Sequence, residues 1–319
     1  MTTDRGSFIL GAGAQKAGTS WLYAYMAAWP GCDMGHVKEH HVWDGLTLPE
    51  MAHFDLRTRM LPLQRRLRSW WMAARHGQPG RLFLRQAMQR DPERYFAYFD
   101  RRLAAPGVTL TGDLTPNYAG LDTETLIRIR NGFAARGIRA RAVFLMRDPL
   151  SRALSAIRMY HRDGRGARRG EARFEGVDMT VPAPDALLPY LASREWHLLA
   201  DYLAIVARLE AVFPPKDLYM GFYETMFTDA EFVRLNSFLG TAPDHAFQEQ
   251  VFNSTSGADP LPDELRAQAL TRLAPVYYDV FARWPGMRAH WADPARAGDS
   301  AGAPPGRLTK TTGAASTCS

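Results

Sequence analysis

Cysteine is nearly absent from the chain, which has only Cys32 and Cys318. Two cysteines so far apart are too few for a disulfide framework or a cysteine-based metal site. Long apolar runs are missing too, because none approaches the roughly 20 residues that a helix needs to cross a bilayer. The chain enters an apolar strand directly, without a basic and hydrophobic leader, so we expect a cytoplasmic protein.

Acidic residues are absent from positions 56–90, where arginines alternate with leucines and aromatic residues. The pattern predicts one or two basic amphipathic helices that break near positions 77–80. Such helices could lie on an anionic membrane surface, approach an acidic acceptor or bind nucleic acid, or they could pack on the protein with solvated arginines. The arginines of this segment are Arg57, Arg59, Arg65, Arg66, Arg68, Arg75, Arg81, Arg85 and Arg90.

Apolar runs that suit buried strands alternate with helical patterns along the chain, and they lie at about 7–12, 108–112, 140–146 and 217–222. This alternation predicts an α/β protein, with a single P-loop-like domain whose central, mainly parallel sheet is flanked by helices. Open sheets of this kind bind ligands at the carboxyl ends of their strands. We therefore expect Lys16, Asp113 and Arg147 to lie along one rim of the sheet.

The same composition suggests where the domain begins and ends. We expect a single domain over 1–292. The basic segment lies inside it, as a helical insertion at 53–106 that could serve as an acceptor-side lid. Residues 293–319 are small, polar and contain proline and glycine, which predicts a disordered C-terminal tail.

A strand, a glycine-rich turn and a helix follow one another over positions 8–22. Backbone N–H groups at the start of a helix lack partners inside it, and together with the helix dipole they attract phosphate or sulfate. Gly13 and Gly18 have the spacing of a Walker-type nucleotide loop, but Thr19 stands where that loop has its lysine, and Lys16 lies before Gly18. The usual triphosphate contact is therefore missing, whereas a shorter diester or anhydride still suits the turn.

A second anion-binding pattern begins where an apolar run ends at Met146. Asp148 suits an N-cap and Pro149 the first helical position, so a helix should begin there and carry Ser155 about two turns later. The planar fork of an arginine binds phosphate oxygens bidentately. Arg147 and Ser155 could therefore converge on one anion.

Residues 15–22, Gln-Lys-Ala-Gly-Thr-Ser-Trp-Leu, closely resemble the 5'-phosphosulfate loop of the sulfotransferases that use 3'-phosphoadenosine 5'-phosphosulfate (PAPS). The resemblance points to bacterial members related to the Golgi-type carbohydrate and heparan enzymes. It implies that no metal is needed, because lysine and backbone donors hold the leaving phosphate. The residues it assigns to PAPS, or to the product 3'-phosphoadenosine 5'-phosphate (PAP), are Lys16, Ala17, Gly18, Thr19, Ser20 and Trp21, with Arg147 and Ser155 at the 3'-phosphate.

Residues 38–44, Lys-Glu-His-His-Val-Trp-Asp, are similar to a segment of the Golgi-type and bacterial carbohydrate sulfotransferases, except that Val42 replaces an aromatic residue. By that resemblance Glu39 is the general base that takes the proton of the acceptor hydroxyl. Lys16 would stabilise the charge that builds on the departing nucleotide. His40 and His41 are competing bases, because imidazole titrates near neutral pH. A solvated, charged turn is the other interpretation.

Residues 112–118 resemble the acceptor-site segment of the same family. Asp113 replaces its glutamate and Leu114 its lysine, so a sugar acceptor does not follow from the resemblance. Asp113 could orient the acceptor or Glu39, or it could simply cap the turn that follows it.

These patterns together predict a sulfotransferase that passes a sulfuryl group from PAPS to a hydroxyl of a glycan, lipid or small molecule. Peripheral contact with an anionic membrane is compatible with the basic segment, and no nucleic-acid partner is expected. Two other classes stay open. A P-loop kinase or other NTPase would bind ATP with magnesium, and a non-catalytic basic protein would bind membranes or nucleic acid in a strongly salt-dependent way.

Overall fold

The computed structural model describes residues 5–76, 80–162, 172–248 and 261–296, and the structural statements below concern these ranges. Most of the predicted tail, from position 297 onward, lies outside them, and the last described element is a 3₁₀ turn at Pro294–Arg296. None of the helices in these ranges is both long and apolar enough to cross a membrane.

The sheet of the described chain has four parallel strands, β1 Ser7–Gly11, β2 Leu110–Leu114, β3 Arg139–Met146 and β4 Leu218–Phe222. Their order across the sheet is β2-β1-β3-β4. At the carboxyl end Gly11 lies opposite Leu114 and Val143, and Met146 lies opposite Phe222. The strands therefore end along one rim, and the predicted α/β fold with a mainly parallel sheet is confirmed.

Helices connect and surround the strands. Before β3 they are α1 Thr19–Ala28, α2 Trp43–Thr47, α3 Leu63–His76, α4 Arg81–Arg90, α5 Glu93–Leu103 and α6 Thr123–Ala134. After β3 they are α7 Pro149–Arg162, α8 Ala183–Leu191, α9 Arg194–Ala200, α10 Tyr202–Val212, α11 Asp229–Leu239, α12 His245–Gln248 and α13 Asp263–Arg283. Short 3₁₀ turns lie at Pro49–Phe54, Pro116–Gly120, Ala172–Phe174, Pro215–Asp217 and Pro285–Ala289.

The central strands are apolar at consecutive positions because both of their faces are buried. Phe8, Ile9 and Leu10 of β1 are completely inaccessible to solvent. The ring of Phe8 stacks on Phe133 of α6, with ring centroids 3.9 Å apart, and meets Phe99 of α5 edge-on at 4.8 Å. Burial on both faces is typical of central parallel strands, and it leaves the loops at the rim as the place for polar chemistry.

Strand β2 runs over Leu110–Leu114 rather than about 108–112, and it includes Asp113 because it ends two residues later than predicted. A carboxylate is tolerated inside this strand because its oxygens accept hydrogen bonds from the hydroxyls of Tyr118 at 2.8 Å, Tyr95 at 3.1 Å and Thr115 at 2.7 Å. Asp113 is fully buried. The sequence pattern placed this carboxylate after the strand, whereas it lies within it.

The acid-free segment contains α3 and α4, on either side of positions 77–79, which lie outside the described residues. Helix α5 follows, and its buried Tyr95, Phe96 and Phe99 belong to the main core. The 53–106 segment thus combines an exposed helix with one that is part of the core. The domain limits at 1–292 and 53–106 stay predictions.

Candidate active site

The turn after β1 places a lysine and a helix N-terminus at the rim. This turn runs beside β3, where Ala12 N donates to Val143 O at 2.9 Å and Ala14 N donates to Leu145 O at 2.6 Å. Helix α1 then begins at Thr19, and its N-cap residue Gly18 has no side chain that could cap the first turn. The N–H groups of that turn are therefore available to an anion.

Backbone conformation distinguishes two positions of this region. Among the described residues other than glycine, only Lys16, at φ 68°, and His41, at φ 52°, have positive φ. Strain of this kind persists where the surrounding structure imposes it, and it is common at functional sites. Gly18 has φ 93°, and a Cβ added there would lie 2.9 Å from Met226 Sδ, so the turn requires glycine at this position.

Arg147, at the end of β3, lies directly against the lysine turn. Its Nη1 donates to the carbonyl oxygen of Lys16 at 2.9 Å, although the two residues are 131 positions apart in sequence. The guanidinium also lies over the ring of Tyr223, 4.4 Å from its centroid. Its Nε is buried and has no hydrogen-bond partner within the described ranges. The two cations predicted to bind the donor therefore share one part of the rim.

The helix after Arg147 begins as the sequence pattern predicts. Asp148 caps α7 by accepting a hydrogen bond from Ser151 N at 2.8 Å. Its other carboxylate oxygen accepts from the Tyr277 hydroxyl at 2.7 Å and from Ala292 N at 3.1 Å. Ser155 is buried on the same helix. The geometry thus places Arg147 and Ser155 at the start and in the second turn of one rigidly anchored element.

Lys38 connects the lysine turn to the candidate base. Its Nζ donates to the hydroxyl of Ser20, in the first turn of α1, at 2.6 Å. The same Nζ donates to Glu39 Oε1 at 3.1 Å. An ammonium group therefore lies between the predicted 5'-phosphosulfate loop and the carboxylate of Glu39.

The second carboxylate oxygen of Glu39 faces a histidine. Glu39 Oε2 lies 3.3 Å from His41 Nε2, and His41 Nδ1 lies 2.7 Å from Asp44 Oδ2. Asp44 is fully buried and also accepts from Asn117 Nδ2 at 3.2 Å. The imidazole stacks on Phe54, with centroids 3.7 Å apart. The imidazole of His41 therefore contacts two carboxylates, and its stacking on Phe54 fixes the plane of the ring.

The neighbouring charges shift the pKa values of Glu39 and His41. Burial alone would raise the pKa of Glu39, but the hydrogen bond from His41 and the charge of Lys38 outweigh it and lower that pKa to about 2. Burial would lower the pKa of His41, but Asp44 and then Glu39 outweigh it and raise that pKa. Glu39 is therefore ionised, and His41 is favoured in its protonated, doubly donating form.

Beneath Glu39, the buried Asp113 holds the next residue. His40 N donates to Thr115 Oγ1 at 3.1 Å, and His40 Nδ1 lies 3.3 Å from Asp113 Oδ1. Burial would raise the pKa of Asp113, but His40 and the surrounding hydroxyl donors lower it. Asp113 is inaccessible to solvent, and its contacts with His40 tie it to the segment that carries Glu39.

Helix α4 holds the same segment from the other side. Three of its side chains, spaced four residues apart on one face, donate to three consecutive carbonyl groups. Arg81 Nη2 donates to Glu39 O at 3.4 Å, Arg85 Nε to His40 O at 2.7 Å and Gln89 Nε2 to His41 O at 2.9 Å. The residues 39–41, which we call the base segment, are therefore fixed by α4 as well as by β2.

Other predicted donor residues contribute to the core through their side chains. Ala17 is fully buried and Thr19 is largely so. The Trp21 ring is also buried and stacks on Tyr25, with centroids 5.1 Å apart. These residues can face a ligand only through their backbone, whereas Lys16 and Arg147 are partly accessible.

Several residues of this site were not predicted from the sequence. For Lys38 a signal existed, because lysine occurs only at positions 16, 38, 216 and 310. Arg85 and Gln89 gave no local signal, since their partners lie 45 and 48 positions away. Asp44 was part of a recognised segment, but its pairing with His41 depends on the unusual backbone of His41.

The solved structures to which this chain is similar include several sulfotransferases. The chain is similar to a sulfotransferase from Alicyclobacillus acidocaldarius, with a TM-score of 0.52 at 20% identity over 88% of this chain and 96% of that chain. A sulfotransferase domain of the Synechococcus PCC 7002 olefin synthase gives 0.45 at 18% identity over 80% of each chain. A sulfotransferase from Mycobacterium avium gives 0.45 at 12% identity over 88% of this chain and 76% of that chain.

No protein-family model and no curated protein sequence matches the chain. The Alicyclobacillus match nevertheless extends over nearly the whole of both chains. It shows that this chain has the sulfotransferase fold, in which a parallel sheet carries a P-loop-like turn at its rim.

Proposed function

We propose that this protein is a sulfotransferase that moves the sulfuryl group of PAPS to a hydroxyl of an acceptor and releases PAP. The observation that carries the proposal is the hydrogen bond from Arg147 to the Lys16 carbonyl at 2.9 Å. This contact supports the proposal because it brings together the two residues that the resemblance assigns to opposite ends of the donor. Lys38 then links this pair of cations to Glu39 through Ser20.

The residues at the rim fit a doubly phosphorylated nucleotide. The unpartnered Nε of Arg147 offers a donor toward a 3'-phosphate, and Ser155 lies on the following helix. Lys16 and the uncapped first turn of α1 offer an ammonium and backbone N–H groups toward a 5'-phosphosulfate. When bound, PAPS supplies an activated sulfuryl group attached to a phosphate leaving group. No metal is required in this proposal, because Lys16 and backbone donors supply the charge stabilisation.

Glu39 is the group that would take the acceptor's proton. A low pKa makes it a weak base while His41 is protonated, so its strength depends on the imidazole beside it. We assign His41 to a positioning role, because both of its ring nitrogens already face carboxylates. Asp113 is assigned to a positioning role as well, acting through His40.

The acceptor is proposed to be a hydroxyl of a glycan, a lipid or a small molecule. Leu114 is fully buried and stands where the related family has a lysine, so no sugar specificity is carried over. A cytoplasmic location is part of the proposal and is supported by the choice of a nucleotide sulfate donor.

Thermal unfolding with nucleotides tests the donor assignment. PAP should raise the melting temperature, whereas ATP with magnesium should have little effect. Lys16→Ala and Arg147→Ala should each weaken PAP binding by roughly tenfold or more, since a hydrogen bond to a charged group contributes about 1.5–3 kcal/mol. Lys216→Ala, at an exposed lysine outside the site, is the matched control. Stabilisation by ATP with magnesium but not by PAP would favour the kinase or NTPase class instead.

Transfer from labelled PAPS to a panel of glycans, lipids and alcohols tests the base. Glu39→Gln should keep PAP-dependent stabilisation and lose turnover by roughly 10²–10⁴-fold, the usual contribution of a general base. Full turnover by this variant would contradict the assignment of Glu39.

A further inference from the structure

Helix α3 and the residues just before it expose several large apolar side chains. Met60, just before the helix, is 85% exposed, and Leu63, Leu67 and Trp71 within it are 66%, 59% and 52% exposed. Leu63, Leu67 and Trp71 recur every four residues, so they form one stripe along the helix. We call these four side chains the apolar stripe.

The stripe points away from the body of the protein. The side of α3 that contacts the protein carries Ser69, which is 5% exposed and whose Oγ accepts from Gly80 N at 2.8 Å, and the half-buried Ala73. At about 100° per residue, these two positions lie roughly 140° around the helix axis from Leu67. An ordinary surface helix turns its apolar side inward, whereas α3 turns it outward.

The charge around the stripe is of one sign. Arg59, Arg65, Arg66 and Arg75 are exposed, and positions 56–90 contain no acidic residue. The Arg75 guanidinium lies over the Trp71 ring, 5.2 Å from its centroid, so cation and ring share one side of the helix. Exposed apolar area bordered by arginines is complementary to a surface with an apolar interior and negative charge at its boundary.

We propose that α3 docks on an anionic phospholipid bilayer, with the apolar stripe in the headgroup boundary and the neighbouring arginines on the lipid phosphates. Neither a second copy of this chain nor a nucleic acid matches both features as well. A second copy would bring like charge against like charge, and the nucleic-acid backbone offers phosphates without an apolar layer. The proposal does not depend on the sulfotransferase assignment, since it concerns a surface outside the rim.

The docking helix is followed in the chain by the helix that supports the candidate base. Helix α4 begins at Arg81, shortly after α3, and holds the carbonyl groups of Glu39 and His40. A protein docked in this way would meet lipids before other acceptors. Lipids are accordingly the first acceptors to screen.

Vesicle co-sedimentation with the full chain tests the proposal. The protein should bind vesicles that contain phosphatidylglycerol, bind pure phosphatidylcholine much more weakly, and dissociate as salt is added. The double variant Leu67→Gln/Trp71→Gln should reduce binding at least about tenfold. Arg66→Gln/Arg75→Gln, at two exposed arginines on either side of the stripe, should reduce it by about 25-fold, since each basic residue near an anionic surface contributes about fivefold.

Val233→Gln provides the matched control, because Val233 is 52% exposed, like Trp71, but lies on α11. It should bind vesicles as the unmodified chain does. All variants should melt within a few degrees of the unmodified chain, since every substituted side chain is exposed, and should keep their stabilisation by PAP. If neither the unmodified chain nor any variant binds PAP while the unmodified chain still binds vesicles, the proposed function is contradicted. The docking proposal then stands.

Three outcomes would overturn the docking proposal. The first is equal binding to neutral and anionic vesicles, or binding to neither. The second is a concentration-dependent dimer that Leu67→Gln/Trp71→Gln disrupts without any vesicle binding, which would assign the stripe to a second copy. The third is tight oligonucleotide binding that needs Arg66 and Arg75 but not Leu67 or Trp71, again without vesicle binding.

Discussion

Lys16 combines a chemical role with an unfavourable backbone. At φ 68° it lies in the left-handed region, where a residue with a Cβ costs roughly 1–2 kcal/mol relative to the right-handed one. Its carbonyl is turned toward Arg147, which donates to it. The left-handed backbone therefore determines both the direction of the Lys16 side chain and the hydrogen bond between its carbonyl and Arg147.

A pair of substitutions separates these two contributions. Lys16→Gly should be more stable than Lys16→Ala by about 1 kcal/mol, because only glycine adopts positive φ without strain. Both variants should lose most of the stabilisation by PAP. Chemical denaturation measured with and without PAP gives both quantities. Equal stability of the two variants would show that the backbone at Lys16 is not strained.

His41 should make the stability of the protein depend on pH. Its pKa is raised above the ordinary value of 6.5 because Asp44 and Glu39 outweigh the effect of burial. A group with a raised pKa in the folded state contributes its full stabilisation below its unfolded pKa and loses it as pH rises through the folded value. The contacts of His41 with Glu39 and Asp44 should therefore stabilise the fold most below pH 6.5.

The variant His41→Asn tests this dependence, since asparagine tolerates positive φ better than most residues. The difference in melting temperature between the unmodified chain and His41→Asn should be largest below pH 6.5 and should shrink as pH rises above it. His245→Asn, at a histidine outside the site, serves as the control for the substitution itself. A difference that grows with pH would contradict a protonated His41.

At the scale of elements, α4 is a basic helix that also supports the base segment. Gln89 Nε2 donates to His41 O at 2.9 Å and to Phe54 O at 3.0 Å, and its Oε1 accepts from Leu56 N at 2.8 Å. One buried amide therefore satisfies three backbone groups. Burial lowers the pKa of the neighbouring Arg85 to about 10, yet this arginine remains ionised at neutral pH.

Gln89→Leu should destabilise the fold by about 2 kcal/mol or more, because buried backbone groups lose their partners. It should also reduce transfer more than PAP binding, since the loosened segment carries Glu39 and not the donor loop. Gln268→Leu, at an exposed glutamine of α13, is the control and should change neither property by more than a few tenths of a kcal/mol. Parallel loss of transfer and PAP binding would contradict a role confined to the base segment.

The elements that sequence predicted well are those whose signal is local. The strand ending at Met146, the cap at Asp148 and the glycine-rich turn around Lys16 each depend on a few adjacent residues. The position of Asp113 inside β2 was not predicted, because it depends on hydroxyl donors from Tyr95 and Tyr118 that only the fold brings together. The support from α4 was missed for the same reason.

At the scale of the whole molecule, the C-terminal part closes on the donor side of the rim. Trp291 Nε1 donates to Glu224 Oε2 at 2.7 Å, and Glu224 Oε1 accepts from Asp148 N at 3.0 Å. Trp291 is buried, and its ring packs against Tyr202 and Phe222. The position of Arg147 therefore depends on residues near the end of the described chain.

Two truncations locate the end of the folded unit. A chain that stops after position 296 should keep the melting temperature and the response to PAP of the full chain, since Trp291 and Ala292 with their contacts are retained. A chain that stops after position 290 should lose about 3 kcal/mol or more, because it removes a buried tryptophan, takes the Trp291 donor from Glu224 Oε2 and leaves Asp148 Oδ2 to the Tyr277 hydroxyl. Denaturation and PAP titration of both chains provide the measurement. Equal stability of the two truncations would mean that the anchor of Asp148 and Arg147 lies elsewhere, in the contacts of Tyr277.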